Sequence, residues 1–117
     1  MYNINMEEKL FIAEYTPEAE EQLFELSKEN RRKIISAVGA FEVLGTDYKN
    51  INKLDFNLYE IKPSGVRAYF KYDTERKRII IIGLVVLKKT QEAPKRYMKQ
   101  AVRNIDSYIR SKQNDNE

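Results

Sequence analysis

Residues 79–87 read Ile-Ile-Ile-Ile-Gly-Leu-Val-Val-Leu, nine positions without a polar side chain. The run is far short of the roughly 20 apolar residues that cross a bilayer. It also lacks the alternation of a strand with one wet face, and β-branched residues dominate it. Such a segment reads as a strand at the centre of a sheet, covered on both faces.

The pattern on either side supplies the rest of the sheet and its helices. Residues 9–15, KLFIAEY, alternate enough to predict a first strand. Thr16 and Pro17 then give an N-cap followed by proline at the first helical position, with Glu18, Glu20 and Glu21 where the helix dipole favours anions. That helix is predicted to reach about Lys28, with Ala19, Leu23 and Leu26 inward. A second helix from near Asn30 sets Ile34, Ala37, Val38, Phe41 and Leu44 at helical spacing and stops at Gly45, so the two form a hairpin.

Beyond Asn50 the period changes to two. Residues 54–62, 66–72 and 78–87 read as three strands of an antiparallel meander, separated by Pro63-Ser64-Gly65 and by residues 73–77. A last helix over about 93–111 turns Met98, Ala101, Val102, Ile105, Tyr108 and Ile109 inward, and 112–117 read as a disordered tail. The predicted order is β-α-α-β-β-β-α: a two-layer α+β fold, with two N-terminal helices and a C-terminal helix packed on a mainly antiparallel sheet, one domain over 1–111.

Composition narrows the chemistry. At 117 residues the chain has room for one core. It has no cysteine and no histidine, which excludes disulfides and thiol chemistry and removes the commonest metal ligand and general base. The acidic opening MYNINMEEK is unlike a signal peptide, so a cytoplasmic protein without membrane contact is expected.

The net charge of +3 hides a strong polarity. Residues 1–30 carry eight acids and two bases, whereas residues 62–103 carry twelve bases and three acids. A surface of that kind draws polyanions to one side, although a charge run also serves as a solvated face.

The central strand ends in Lys88 and Lys89, and the last helix opens with Lys95, Arg96 and Tyr97. If the strand at 78–87 pairs antiparallel with that at 66–72, its exit lies at the same rim as Arg67 and Lys62, which flank the Pro63-Ser64-Gly65 turn. Such a group of cations can bind a phosphodiester backbone and stabilise a pentavalent transition state, and a lysine lowered in pKa by its neighbours can move protons. Tyr97 adds a stacking face. Neither a metal nor a cofactor is called for, since the acids of this region, Glu60, Asp73, Glu75 and Glu92, are scattered. Plain alternatives stand beside each residue: Lys62 and Arg67 flank a turn, Lys88 and Lys89 solvate a strand end, and Tyr97 borders the apolar stripe of its helix. Glu60 reads as an ion-pair partner of Arg67 or Lys62.

The segments LYEIKPSGVRAYFKYD and LKKTQEAPKRYMKQAVRNIDSYI resemble the RelE/ParE superfamily of bacterial toxin–antitoxin systems, most of all its HigB-like, phage-associated branch. The resemblance covers residues 53–109 and is most specific in Lys-Lys-Thr-Gln-x-x-Pro. It implies a ribosome-dependent, metal-independent mRNA endoribonuclease, inhibiting translation and neutralised by a cognate antitoxin, with operator DNA contacted only through the antitoxin complex. Lys62 falls where the family's strand-end base lies, Arg67 at the transition-state arginine, Lys89 where a basic residue helps the leaving oxygen, and Tyr97 near an aromatic that orients substrate. Lys53, Lys88, Lys95 and Arg96 fall to the RNA backbone. The chain departs from the family in its Glu60, where some members carry a base, and in lacking the histidine many carry near Leu84 or in the last helix. Two alternatives stay open: a non-enzymatic ParE-like gyrase poison, and a degenerate module that only binds antitoxin and takes part in DNA autoregulation.

Overall fold

A computed structural model describes residues 8–88 and 93–115. Its elements are β1 (Ile12–Tyr15), α1 (Pro17–Glu25), α2 (Lys28–Leu44), β2 (Ile51–Lys53), β3 (Tyr59–Ile61), β4 (Val66–Tyr72), β5 (Ile79–Leu87) and α3 (Lys95–Asp115). The five strands form one sheet in the order β1-β5-β4-β3-β2. The β1–β5 pair is parallel and the other three are antiparallel.

The helix starts follow the local chemistry. Thr16 is fully buried, and its Oγ1 accepts from Ala19 N at 3.1 Å, satisfying one of the free amides of α1. Ser27 does the same for Asn30 N, which starts α2 at Lys28, slightly earlier than the periodicity suggests. Arg31 then ties the helices together by donating to the carbonyls of Leu23, Phe24 and Leu26 at the end of α1.

The sheet carries an apolar cluster on each face, which corrects the expected two layers to three. Ile80, Ile82 and Val85 join Ala68 and Phe70 against α1 and α2. Ile81 and Leu84 join Tyr69 against Met98, Ala101 and Ile105 of α3. Helix periodicity reveals which stripe of a helix is inward but not which side of the sheet receives it. The α+β class and the doubly covered place of 79–87 are as predicted, although β5 stands second in the sheet, between β1 and β4, and β4 is the central strand.

Two further differences are local. Of the strand expected over 54–62 only β3 is extended: residues 54–58 form the turn that joins it to β2, closed by Leu54 N donating to Leu58 O and Leu58 N to Asp55 O. Phe56 and Asn57 take φ of 63° and 59°, so a turn replaces extended backbone, and Phe56 is exposed. The expected tail is helical as far as Asp115: Lys112 lies 5.4 Å from the Tyr108 ring centroid, and Gln113 Nε2 reaches Glu75 Oε1 at 3.2 Å.

A polar network pins α3 to the far edge of the sheet. Arg76 donates to both oxygens of Glu14, at 2.9 and 2.8 Å, and through Nε to Asp73 Oδ2 at 2.8 Å. Tyr108 donates to Glu14 Oε1 at 2.8 Å, linking β1, the β4–β5 turn and α3. The Arg76 hydrogen bonds hold Glu14 below the usual carboxylate range, against an opposing effect of burial. Asp73 is also lowered: burial works against ionisation, but the amides of Glu75 and Arg76 and the Arg76 guanidinium outweigh it. Depressed carboxylate values contribute stability above the unfolded values of 4.5 and 3.8, and that stability is lost as pH falls through the lower folded values. Arg76→Ala is therefore expected to lower the melting temperature at pH 7 by several degrees, and the gap to wild type should close between about pH 5 and 3. Melts across that range test it; a gap that persists unchanged at pH 3 would count against the network.

Candidate functional site

β2, β3 and β4 place a line of polar side chains on the α3 face of the sheet. Asn52 stands opposite Glu60, and Glu60 opposite Tyr69. Asn52 Nδ2 donates to Glu60 Oε1 at 3.1 Å, and Arg67 Nε stands 3.7 Å from Glu60 Oε2. The Glu60–Arg67 pairing read from the sequence is thus present, with side chains only 9% and 12% exposed. Arg67 Nη1 donates to Pro63 O at 2.8 Å and Val66 O at 2.7 Å, so it also fastens the β3–β4 turn. The sequence suggests a rim arginine facing solvent; the structure draws it in, because this turn presents two carbonyls to it.

Next to this line is an open cleft of about 580 Å³. Lys53, Asp55 and Glu60 lie on its sheet side, and Ala93 and Met98, at the start of α3, close the other. Tyr69, buried beside the line, has its hydroxyl pushed up to about 12, chiefly by burial and secondarily by the Glu60 charge, with Arg67 opposing. It stays protonated at neutral pH and does not serve as a base.

The antiparallel register pairs Arg67 with Val86 and Val66 with Leu87. Lys88 N donates to Gly65 O, so the exposed Lys88 sits beside the turn, at the rim where the sequence places it if these strands pair. Lys62, half-buried, follows β3 directly, and its amide donates to Asn50 O. Lys53 faces the cleft from β2. Lys95 and Arg96 are exposed in the first turn of α3, where the dipole disfavours cations and no acid offsets them. Tyr97 is half-buried and packs on the α3-face cluster, under the Arg96 guanidinium at 5.0 Å from its ring centroid. It lines a different depression from the cleft, with Gln22, Val86 and Leu87 at the β5 edge. Lys89 lies outside the described residues.

Sequence reasoning missed Asn52 and Tyr69 as neighbours of Glu60. Their signal was available only through register, since each occupies a position opposite Glu60 on a neighbouring strand. Among the described residues no group of three His, Cys, Asp or Glu is placed to hold a metal ion, and no helix is long and apolar enough to cross a membrane.

The family model of phage-derived Gp49-like proteins matches residues 21–106. The chain belongs to the Gp49-like family. That family is of the RelE/HigB-like toxin kind that residues 53–109 resemble. The Gp49-like chain superposes on a chain of the archaeal RelE–RelB complex from Pyrococcus horikoshii OT3 with a TM-score of 0.55 and 14% identity, over 67% of this chain and 94% of that one. For the toxin–antitoxin complex RelBE2 of Mycobacterium tuberculosis the values are 0.48 and 18%, over 67% and 98%. The archaeal likeness establishes a shared RelE-like fold. No curated protein sequence matches the chain.

Proposed function

We propose that this Gp49-like protein is the toxin of a toxin–antitoxin pair, a ribosome-dependent endoribonuclease that cuts mRNA in the cytoplasm and is neutralised by an antitoxin protein. The observation that carries this reading is Arg67, held by Glu60 and two turn carbonyls at a rim shared with Lys62 and Lys88. A guanidinium fixed in advance stabilises charge that develops on a phosphate without reorganising at the moment of reaction. Among the described residues its Nη2 makes no hydrogen bond, which leaves that edge for a phosphate oxygen.

The reaction proposed is attack of a ribose 2′-oxygen on the adjacent phosphorus. The 2′-hydroxyl proton passes to Lys62 as the base, the bond to the 5′-oxygen breaks, and that oxygen takes a proton from Lys89. The products are a 2′,3′-cyclic phosphate and a 5′-hydroxyl. Arg67 stabilises the phosphorane, Tyr97 orients the RNA, and Lys53, Lys88, Lys95 and Arg96 hold its backbone. Operator DNA is contacted only through the antitoxin complex.

Expression without a partner is expected to stop growth by stopping translation. Pulse labelling tests this: incorporation of amino acids should fall before that of thymidine. Loss of DNA synthesis while protein synthesis continues would replace this reading with a gyrase-poison one.

A further inference from the structure

The start of α2 carries Lys28, Arg31, Arg32 and Lys33 against one acid, Glu29. Arg31 is engaged by the carbonyls at the end of α1. The other three cations line an open groove of about 740 Å³ together with Glu29, Tyr48 and Pro63. None of the ion pairs among the described residues uses them. The groove lies on the α1/α2 side of the sheet, away from the cleft: Tyr48 packs against Phe41 of that cluster at 6.4 Å between ring centroids.

The Arg67 rim and the groove meet at one turn. Pro63 is part of the groove lining, while its carbonyl accepts from Arg67 on the other side. Lys62 immediately precedes it, and Lys88 is bonded to Gly65 at the end of the same turn. A chain of positive charge therefore leads from Arg67, Lys62 and Lys88 at the rim over the Pro63–Ser64–Gly65 turn into the α2 groove. The basic strip is narrow, because neighbouring α1 carries Glu18, Glu20, Glu21 and Glu25 and no base. That width suits one phosphate backbone and repels the second strand of a duplex, and Tyr48 supplies a ring beside the cations, as single-strand sites do.

We infer that the α2 groove is a second single-stranded RNA site, which holds the part of the strand that leaves the Arg67 rim across the turn. The inference rests on the RNA reading of the Arg67 rim, and its test separates the two. Anisotropy would be measured with 2′-O-methyl oligonucleotides, which lack the attacking hydroxyl, of about 6 and about 14 nucleotides, spanning the usual range of single-strand site sizes. The protein would be wild type and the triple variant Lys28→Glu/Arg32→Glu/Lys33→Glu, with Lys28→Gln/Arg32→Gln/Lys33→Gln as a milder second should the first fold poorly. Wild type should bind the longer strand at least about tenfold more tightly than the shorter one. The triple variant should lose that advantage and reduce the log–log salt slope by about 2, the loss of some three phosphate contacts at about 0.7 each. Its affinity for the shorter strand should stay within about twofold of wild type. Equal affinity of wild type for both lengths, full retention of long-strand binding by both triple variants, or preference for a duplex of the same length would overturn the groove. Cleavage of message by the same preparations is scored separately. A wild type that binds the long strand through Lys28, Arg32 and Lys33 but cuts nothing would sink the nuclease reading and leave the groove standing.

Discussion

Arg67→Ala is expected to reduce message cleavage by at least about a hundredfold, equivalent to roughly 3 kcal/mol of transition-state stabilisation. It is also expected to destabilise the fold by about 2–4 kcal/mol. Removal of the guanidinium leaves the Glu60 carboxylate in a largely buried place with only Asn52 to bond it, takes a donor from Val66 O, and leaves Pro63 O with only the 3.4 Å bond from Val66 N. The two effects can be separated. Arg67→Lys keeps a cation beside Glu60 but loses the planar fork, so it should melt closer to wild type and still cleave tens of times more slowly. Adding Glu60→Gln to Arg67→Ala removes the unpaired charge and should recover stability without recovering cleavage. An Arg67→Lys protein that melts and cleaves like wild type would show that this arginine is a fastener of the turn and nothing more.

Gly83→Ala should cost about 3 kcal/mol or prevent folding. Gly83 occupies the slip in register between β4 and β5, where Tyr69 pairs with Leu84 and Phe70 with Ile82. A Cβ there would stand 2.7 Å from Ala101 O and 2.6 Å from Ile105 Cγ1, and the first of these is helix backbone that cannot rotate away. α3 would have to lift, breaking the 2.9 Å bond from Asn104 Nδ2 to Gly83 O and opening the apolar seam beneath it. Because Met98 and Ala93 belong to the same segment, the cleft should widen and cleavage fall with stability. Gly39→Ala is the control: nothing lies within 4 Å of its added carbon, and the helical position should gain about 0.5–1 kcal/mol. Urea melts of both variants decide the matter, and equal stability of the two would refute the account of α3 docking.

The run at 79–87 was legible because its composition admits few environments, and its doubly covered position follows from that alone. The number of layers was not, since Ile81 and Ile82 look identical in sequence and only the helices' routes assign them to opposite faces. The alternation of Leu54, Phe56 and Leu58 imitates a strand, but Asp55 and Asn57 favour a turn and the backbone follows them. At the site, position was readable and environment was not. Arg67 could be placed at a hairpin rim from its neighbours, whereas its burial depends on where the carbonyls of the turn point. Lys28, Arg32 and Lys33 drew no notice because they acquire a shared groove only through Tyr48 and Pro63, which are remote in sequence.

The central claim is that the rim around Arg67 cuts RNA on the ribosome. The most direct measurement is incubation of purified protein with ribosomes programmed with a defined message, followed by mapping of the message ends. Cleaved message bearing a 5′-hydroxyl downstream of the cut, produced by wild type and tens of times more slowly by Arg67→Lys, is the predicted result. Intact message at equimolar protein and ribosome, from a preparation that arrests growth when expressed, would contradict it.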